Sequence, residues 1–244
     1  MCTCTNCSYS RYSLQSVLKS MTMITDDESV DEIEELESFN HGSRFQFPDV
    51  PSAGMIEWSY DMRRSMQEIV PGLFLGPYSA AMPSKLETLL VNGITHIICV
   101  RATMEAKIVR PKFPDRFRYL VLDISDCPTE NIIQHFSTVR NFINESLESG
   151  GKTLIHGNAG ISRSAALAIA FVMEKYGLSY KKAYALLQAK RFCVNPNEGF
   201  SQQLMAYESI YLANLTCPRS NSECNLKRPF DDIDRTLEAM DTES

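Results

Sequence analysis

Apolar positions along this chain follow two rhythms. Short runs rich in β-branched residues, Leu73–Leu75, Ile94–Val100, Tyr119–Asp123 and Thr153–His156, are bounded by turn signals such as Pro71-Gly72 and Asn92-Gly93. Such runs predict strands. The second rhythm is helical. Across Asn131–Ser149, Ile132, Ile133, Phe136, Val139, Phe142, Ile143 and Leu147 recur at i, i+3, i+4 and i+7 spacing, which places them on one helix face. Ser164–Tyr176, Tyr180–Arg191 and Gly199–Leu215 predict three more helices, with Gly177 and Pro196 as breaks. Strands alternating with helices, then a helical C-terminal portion, predict an α/β domain with a central sheet. The pattern fades at both ends. It divides the chain into a tail over 1–52, a domain over 53–215 and a second tail over 216–244.

Charge sharpens that division. The formal net charge of −6 is unevenly spread: 1–52 hold nine acids and three bases, and 216–244 hold seven acids and four bases. The domain between them keeps fourteen acids and seventeen bases, a net +3 that suits an anionic partner. Asp26–Glu37 has eight acids in twelve residues and no base. Such a segment cannot bury enough apolar surface to offset its ordering entropy, so both polar tails are expected to be disordered. Nucleic acid is not an expected partner, because no Lys/Arg run or interleaved aromatic stripe is present. The longest apolar run, Ala165–Met173, is nine residues and too short for a membrane span. No N-terminal stretch resembles a secretory signal, so the eight cysteines are expected to be reduced thiols in the cytoplasm or nucleus. Cys2-x-Cys4-x-x-Cys7 lacks the fourth ligand of a closed zinc site, and His41, His96, His135 and His156 show no metal spacing. Neither a metal nor another cofactor is expected.

The stretch that carries chemistry is Leu154-Ile155-His156-Gly157-Asn158-Ala159-Gly160-Ile161-Ser162-Arg163-Ser164-Ala165. It runs from a predicted strand through a tight loop into a predicted helix. Backbone N–H groups of Asn158, Ala159, Gly160, Ile161 and Ser162, the positive end of the helix dipole and the planar fork of Arg163 together make an anion site. Gly160 permits a positive φ and close backbone approach.

His156-Gly157-x-x-Gly160-x-x-Arg163-Ser164 resembles the signature of the tyrosine and dual-specificity protein phosphatases, in which a Cys follows the His. Only that Cys is missing. Glu68–Gly76 resembles the entry strand of the dual-specificity class, Ile94–Ile98 its second strand, and Arg191–Phe200 with Gln203-Leu204 its closing segment. The likeness spans 57–215 and implies a dual-specificity phosphatase-like fold, a central mixed sheet flanked by helices.

In that family a cysteine thiolate attacks phosphorus while loop donors and the Arg stabilise the transferring group. Gly157 has no atom beyond Cα, so the resemblance implies a protein without catalytic residues, a pseudophosphatase. Asp126 stands at the implied position of the leaving-group acid, and Ser125-Asp126-Cys127-Pro128 is equally a good turn sequence. Asp123 is the alternative for that position. His156 and Ser164 would support the thiolate in relatives. Here His156 is expected to be buried and bonded to backbone, and Ser164 to cap the helix or loop. Anion binding should survive, because removing a thiolate about 4 Å from a phosphate charge removes a repulsion of ~4 kcal/mol at an effective dielectric near 20. The resemblance further implies phosphorylated Ser, Thr or Tyr proteins as partners, with mitogen-activated protein kinases as candidates. The alternative is a scaffold acting through another face, for instance on the substrate-recruiting F-box subunit of a ubiquitin ligase.

Overall fold

The computed structural model describes residues 47–51 and 57–216. The tail calls over 1–52 and 216–244 otherwise lie outside the described residues. Three strands that are apolar on both faces form the middle of the sheet: β2 (Leu73–Pro77), β3 (Ile94–Arg101) and β5 (Lys152–Gly157). They run parallel in the order β2-β5-β3, with Leu75 beside Ile155 and Ile155 beside Ile98. Parallel strands need cover on both faces, and their near-continuous apolar runs suit that position. β1 (Gln67–Val70) closes one edge antiparallel to β2, and β4 (Arg118–Asp123) closes the other parallel to β3. The five-stranded order is β1-β2-β5-β3-β4, a mixed sheet.

Period-two alternation sends side chains to two cores. Leu73, Leu75, Ile98, Val100 and Ile155 enter the larger one. Helices α2 (Phe136–Glu148), α3 (Arg163–Tyr176), α4 (Tyr180–Lys190) and α5 (Glu198–Thr216) supply most of its other residues. Phe74, Ile97 and Leu154 enter the smaller core with Leu89 of α1 (Leu86–Val91) and Phe117. α3 is buried from Arg163 through Met173, which explains why its sequence is apolar nearly all round. It ends at Gly177, whose φ of 62° is the left-handed conformation that closes helices. Among the described residues, no helix is long and apolar enough to cross a membrane.

Three local expectations change. The entry strand folds into two, because the turn at Pro71-Gly72 reverses the chain; Gly72 has φ +82° and donates its N–H to Glu68 Oε1 at 3.0 Å. α1 was not expected: it is six residues long and buries only Leu89, too little to show a period. The helix expected from Asn131 starts at Phe136, after a short 3-10 turn at Ile133–His135. Ahead of that turn, the Ile132 N–H donates to Gln203 Oε1 at 2.9 Å and Gln203 Nε2 donates to the Glu130 carbonyl at 2.8 Å. A side chain of α5 therefore holds this backbone where a helical ladder was expected.

Replacing that clamp should be costly in proportion to the backbone groups it leaves unpaired. Gln203→Ala is expected to lower stability by about 1–3 kcal/mol in chemical denaturation, with an unchanged denaturant slope.

Candidate functional site

The segment from Gly157 to Arg163 leaves the C-terminal end of β5 and enters α3. The carbonyls of its four middle residues, Asn158 to Ile161, are all tied. Asn158 O accepts from the Tyr78 N–H at 3.3 Å, and Ile161 O from the Asn195 N–H at 2.9 Å. Ala159 O and Gly160 O accept from Arg191 Nη2 and Nε, each at 2.9 Å. In a planar trans peptide the next residue's N–H points the opposite way. The N–H groups of Ala159, Gly160, Ile161 and Ser162 therefore turn toward the concave side, where α3 adds its unpaired first-turn N–H groups. Gly160 has φ +68°, and a Cβ there would lie 2.4 Å from the Gly76 carbonyl oxygen, so no side chain fits. This is a cradle for a tetrahedral oxyanion.

Arg163 sits in the cradle, only 8% exposed. The sequence predicts a free fork, but one end of the guanidinium is already engaged. Nη1 and Nη2 donate to Glu105 Oε2 and Oε1 at 2.7 and 3.1 Å, and Nη1 donates again to the Ile124 carbonyl at 3.2 Å. Five N–H groups minus these three leaves Nε–H and one Nη2–H, which lie on the same edge. That edge still matches two oxygens of an anion. Burial acts to raise the Glu105 pKa. Hydrogen bonds from Arg163 and the Ala102 N–H, with the charge of Arg163, outweigh it and hold the carboxyl below its ordinary value. Sequence reasoning missed Glu105. It is 58 residues from Arg163, and its only local signal is a carboxylate three residues beyond Ala102 that reaches back to that N–H.

Asp126 is brought to the rim. Its Oδ1 accepts from Ser162 Oγ at 2.7 Å and Asn197 Nδ2 at 2.9 Å, and its Oδ2 lies 3.8 Å from Arg163 Nε. Asn197 in turn takes the Phe200 N–H at 2.9 Å, capping α5. The Ser162 hydroxyl is thus committed to Asp126 and offers the anion only its backbone. Asp123, the alternative acid, instead pairs with Arg101 Nε at 2.9 Å. Ser164 was expected to cap the helix or the loop; the N-cap position of α3 is Ser162. Ser164 lies inside the first turn of α3, and its Oγ is 3.2 Å from where a Cβ on Gly157 would stand. His156 is buried as expected, but its Nδ1 has no hydrogen-bond partner among the described residues. Burial pushes its pKa down to about 4, opposed only in part by the Gly157 backbone.

Residues 73–210 match the model of the dual specificity phosphatase catalytic domain. The chain belongs to the dual-specificity protein phosphatase family. Within it, the chain is 54% identical over 206 residues to Serine/threonine/tyrosine-interacting protein B of Xenopus laevis, covering 78% of this chain and 92% of that protein. The crystal structure of the human tyrosine phosphatase-like serine/threonine/tyrosine-interacting protein superposes with a TM-score of 0.60. It is 60% identical and covers 61% of this chain and 99% of its own. A mouse chain described as a dual specificity phosphatase, complexed with zinc tungstate, is 28% identical with a TM-score of 0.56, covering 69% of this chain and 100% of its own. Within the family, the chain is thus similar in sequence and fold to the serine/threonine/tyrosine-interacting proteins.

The buried His156 links the site to pH. The unfolded chain takes up a proton as pH falls below the ordinary value of 6.5, while the folded protein resists until about pH 4. The stability that its neutral form supports is fully present above pH 6.5. It falls as pH drops toward 4, by roughly 3 kcal/mol in total. In denaturation series from pH 7 to 4, His156→Gln should show a shallower fall than the wild type.

Proposed function

We propose that the chain is a catalytically inactive phosphatase that binds proteins phosphorylated on Ser, Thr or Tyr, and shields, anchors or withholds them from active phosphatases. One observation carries this. The oxyanion cradle, with its outward-tied carbonyls and the free edge of Arg163, is assembled around Gly157, which has no side chain to attack phosphorus. Ser162 Oγ donates to Asp126, the pairing a general base makes with a hydroxyl, so Ser162→Ala is the control for any residual turnover. Asp126 retains the place of a leaving-group acid, but without a nucleophile it has no leaving group to protonate. Its carboxylate, near the Nε edge of Arg163, acts instead on how an anion is seated. The tungstate held by the mouse relative is an oxyanion of the same shape, which supports phosphate as the ligand class. Candidate partners, carried from the family resemblance, are phosphorylated mitogen-activated protein kinases. The F-box subunit of a ubiquitin ligase is the candidate for a role outside the pocket.

Two variants test this together. Arg163→Ala should retain the fold and lose at least tenfold in affinity for a phosphopeptide measured by calorimetry, since charged, paired hydrogen bonds are removed. Gly157→Cys should gain aryl phosphate hydrolysis that the wild type lacks. The backbone at 157 is not left-handed, and an added Cβ asks only that the small Ser164 side chain give by a few tenths of an ångström. At the start of α3 the new thiol should have a pKa below the free value of ~8.5. Equal phosphopeptide affinity in wild type and Arg163→Ala would remove the binding function. Wild-type turnover that scales with protein would remove the inactive one.

A further inference from the structure

The segment that carries Glu105 presents a second side to solvent. After β3 the chain forms a 3-10 turn at Thr103–Glu105 and keeps turning: the Ala106 N–H donates to Thr103 O at 3.2 Å, and the Ile108 and Val109 N–H groups donate to Glu105 O at 2.9 and 2.8 Å. Residues four apart on such a turn are neighbours on one face. Glu105 and Val109 make the inner pair. The Glu105 carboxylate holds Arg163, and the Asn158 side chain of the phosphate loop is near enough to help lower its pKa. Val109 is buried. Met104 and Ile108 make the next pair, and they are 89% and 62% exposed. One exposed apolar residue is ordinary on a protein surface. Two on one turn, a single peptide bond from the carboxylate that grips the arginine of the cradle, stand at the rim of the site. Their backbone is fixed: Arg101 Nη1 donates to Ala106 O and Val109 O at 3.5 and 3.2 Å, and the Ala102 N–H donates to Glu105 Oε2 at 2.7 Å. On the same segment Lys107 and Arg110 are exposed and form no ion pair among the described residues. The apolar pair therefore lies in a positive field.

We propose that Met104 and Ile108 form an apolar shelf that selects phosphorylated segments carrying an aliphatic or aromatic residue one or two positions from the phosphorylated one. The proposal rests on the cradle being a phosphate site and adds a sequence preference to it. Continuity with the cradle names the occupant. Met104 is the chain neighbour of Glu105, so the two Cα atoms are about 3.8 Å apart, and Glu105 touches Arg163 directly. An extended peptide advances about 3.3 Å per residue, so the two positions flanking a seated phosphorylated residue lie within about 7 Å of it. A phosphate pocket alone cannot tell one phosphorylated segment from another, because every such segment offers it the same group. Apolar contact depends on the neighbouring side chain, and burying it on a shelf already fixed in place adds affinity at small ordering cost. The unbranched Met104 side chain adapts to neighbours of different shape, so the shelf selects for apolarity rather than for one residue. The positive field of Lys107 and Arg110 favours an apolar segment that also carries a phosphate over one that does not.

The test uses full-length protein and two singly phosphorylated peptides of one sequence, in which the two positions on each side of the phosphorylated residue are all Gln or all Leu. Affinities are measured by calorimetry at fixed ionic strength. The wild type should bind the Leu peptide more tightly than the Gln peptide, by about fivefold or more, and with a more negative heat-capacity change, the mark of apolar burial. Met104→Gln/Ile108→Gln should remove that preference and leave the Gln peptide within about twofold, since Glu105 and its grip on Arg163 are untouched. Leu90→Gln/Val91→Gln, which removes another exposed apolar pair at the end of α1, should keep the preference. Both double variants change only exposed side chains and should melt with the wild type. Equal wild-type affinity for the two peptides, a preference that persists in Met104→Gln/Ile108→Gln, or one that falls equally in the Leu90/Val91 variant overturns the shelf. So does a wild-type dimer that Met104→Gln/Ile108→Gln dissolves in sedimentation, since the occupant is then a second copy of the chain. If instead the wild type binds the Gln peptide no better than its unphosphorylated form, and Arg163→Ala changes nothing, the cradle reading itself falls and takes this one with it.

Discussion

Everything at the site hangs on one buried guanidinium. Arg191 is fully enclosed and has no carboxylate partner among the described residues; its donors go to four main-chain oxygens and one amide oxygen. Burying a charge this way is expensive, and burial is the chief cause that lowers its pKa. The cost is offset by charge-assisted hydrogen bonds of roughly 1.5–3 kcal/mol each. An ammonium could not replace it, because only a planar fork reaches five acceptors in two directions at once. Two of those acceptors, Ala159 O and Gly160 O, have to face away from the cradle for their neighbours' N–H groups to face into it. The anion site is thus a consequence of where a structural arginine puts carbonyls.

Around that frame the polar groups fall into two sets. One holds the cradle in shape: Arg191, the Tyr78 and Asn195 N–H groups, and Glu105 on the far end of Arg163. The other stays available to a ligand: the inward N–H groups and the Nε edge of Arg163. Asp126 stands between the sets, fixed by Ser162 and Asn197 yet 3.8 Å from the edge an anion would use. Gly157 at the end of β5 brings no side chain to the cradle. On the proposed reading the site serves recognition, where affinity comes from donors held in place before the ligand arrives.

The placement of the site follows from the topology. Parallel β2, β5 and β3 deliver their C-terminal ends to one edge, so the loops after β3, β4 and β5 meet there, bringing Glu105, Asp126 and Arg163 together from separate parts of the chain.

Much of this was determined by the sequence alone. Apolar runs identified four of the five strands and all four long helices. The strand–loop–helix from Leu154 to Ala165 carried the cradle, Gly160 and Arg163 complete, because an anion site of this kind is local: consecutive N–H groups and one Arg at a set offset suffice. The glycine at 157 could likewise be read directly, since the absence of a side chain needs no fold to interpret. What the sequence did not hold were interactions between distant positions. Nothing near residue 105 or 191 signals that one will grip Arg163 and the other will turn the loop's carbonyls outward, 58 and 31–32 residues away. The start of α2 was misplaced for the same reason, as Gln203 from α5 holds the backbone the periodicity assigned to helix. The direction of the Ser162 hydroxyl was not legible locally, because Asp126 and Asn197 reach it only when β4 and α5 pack. Local hydrogen-bond geometry and hydrophobic period are written in neighbouring residues; the pairing of a buried charge with its acceptors is decided only when the chain has closed around it.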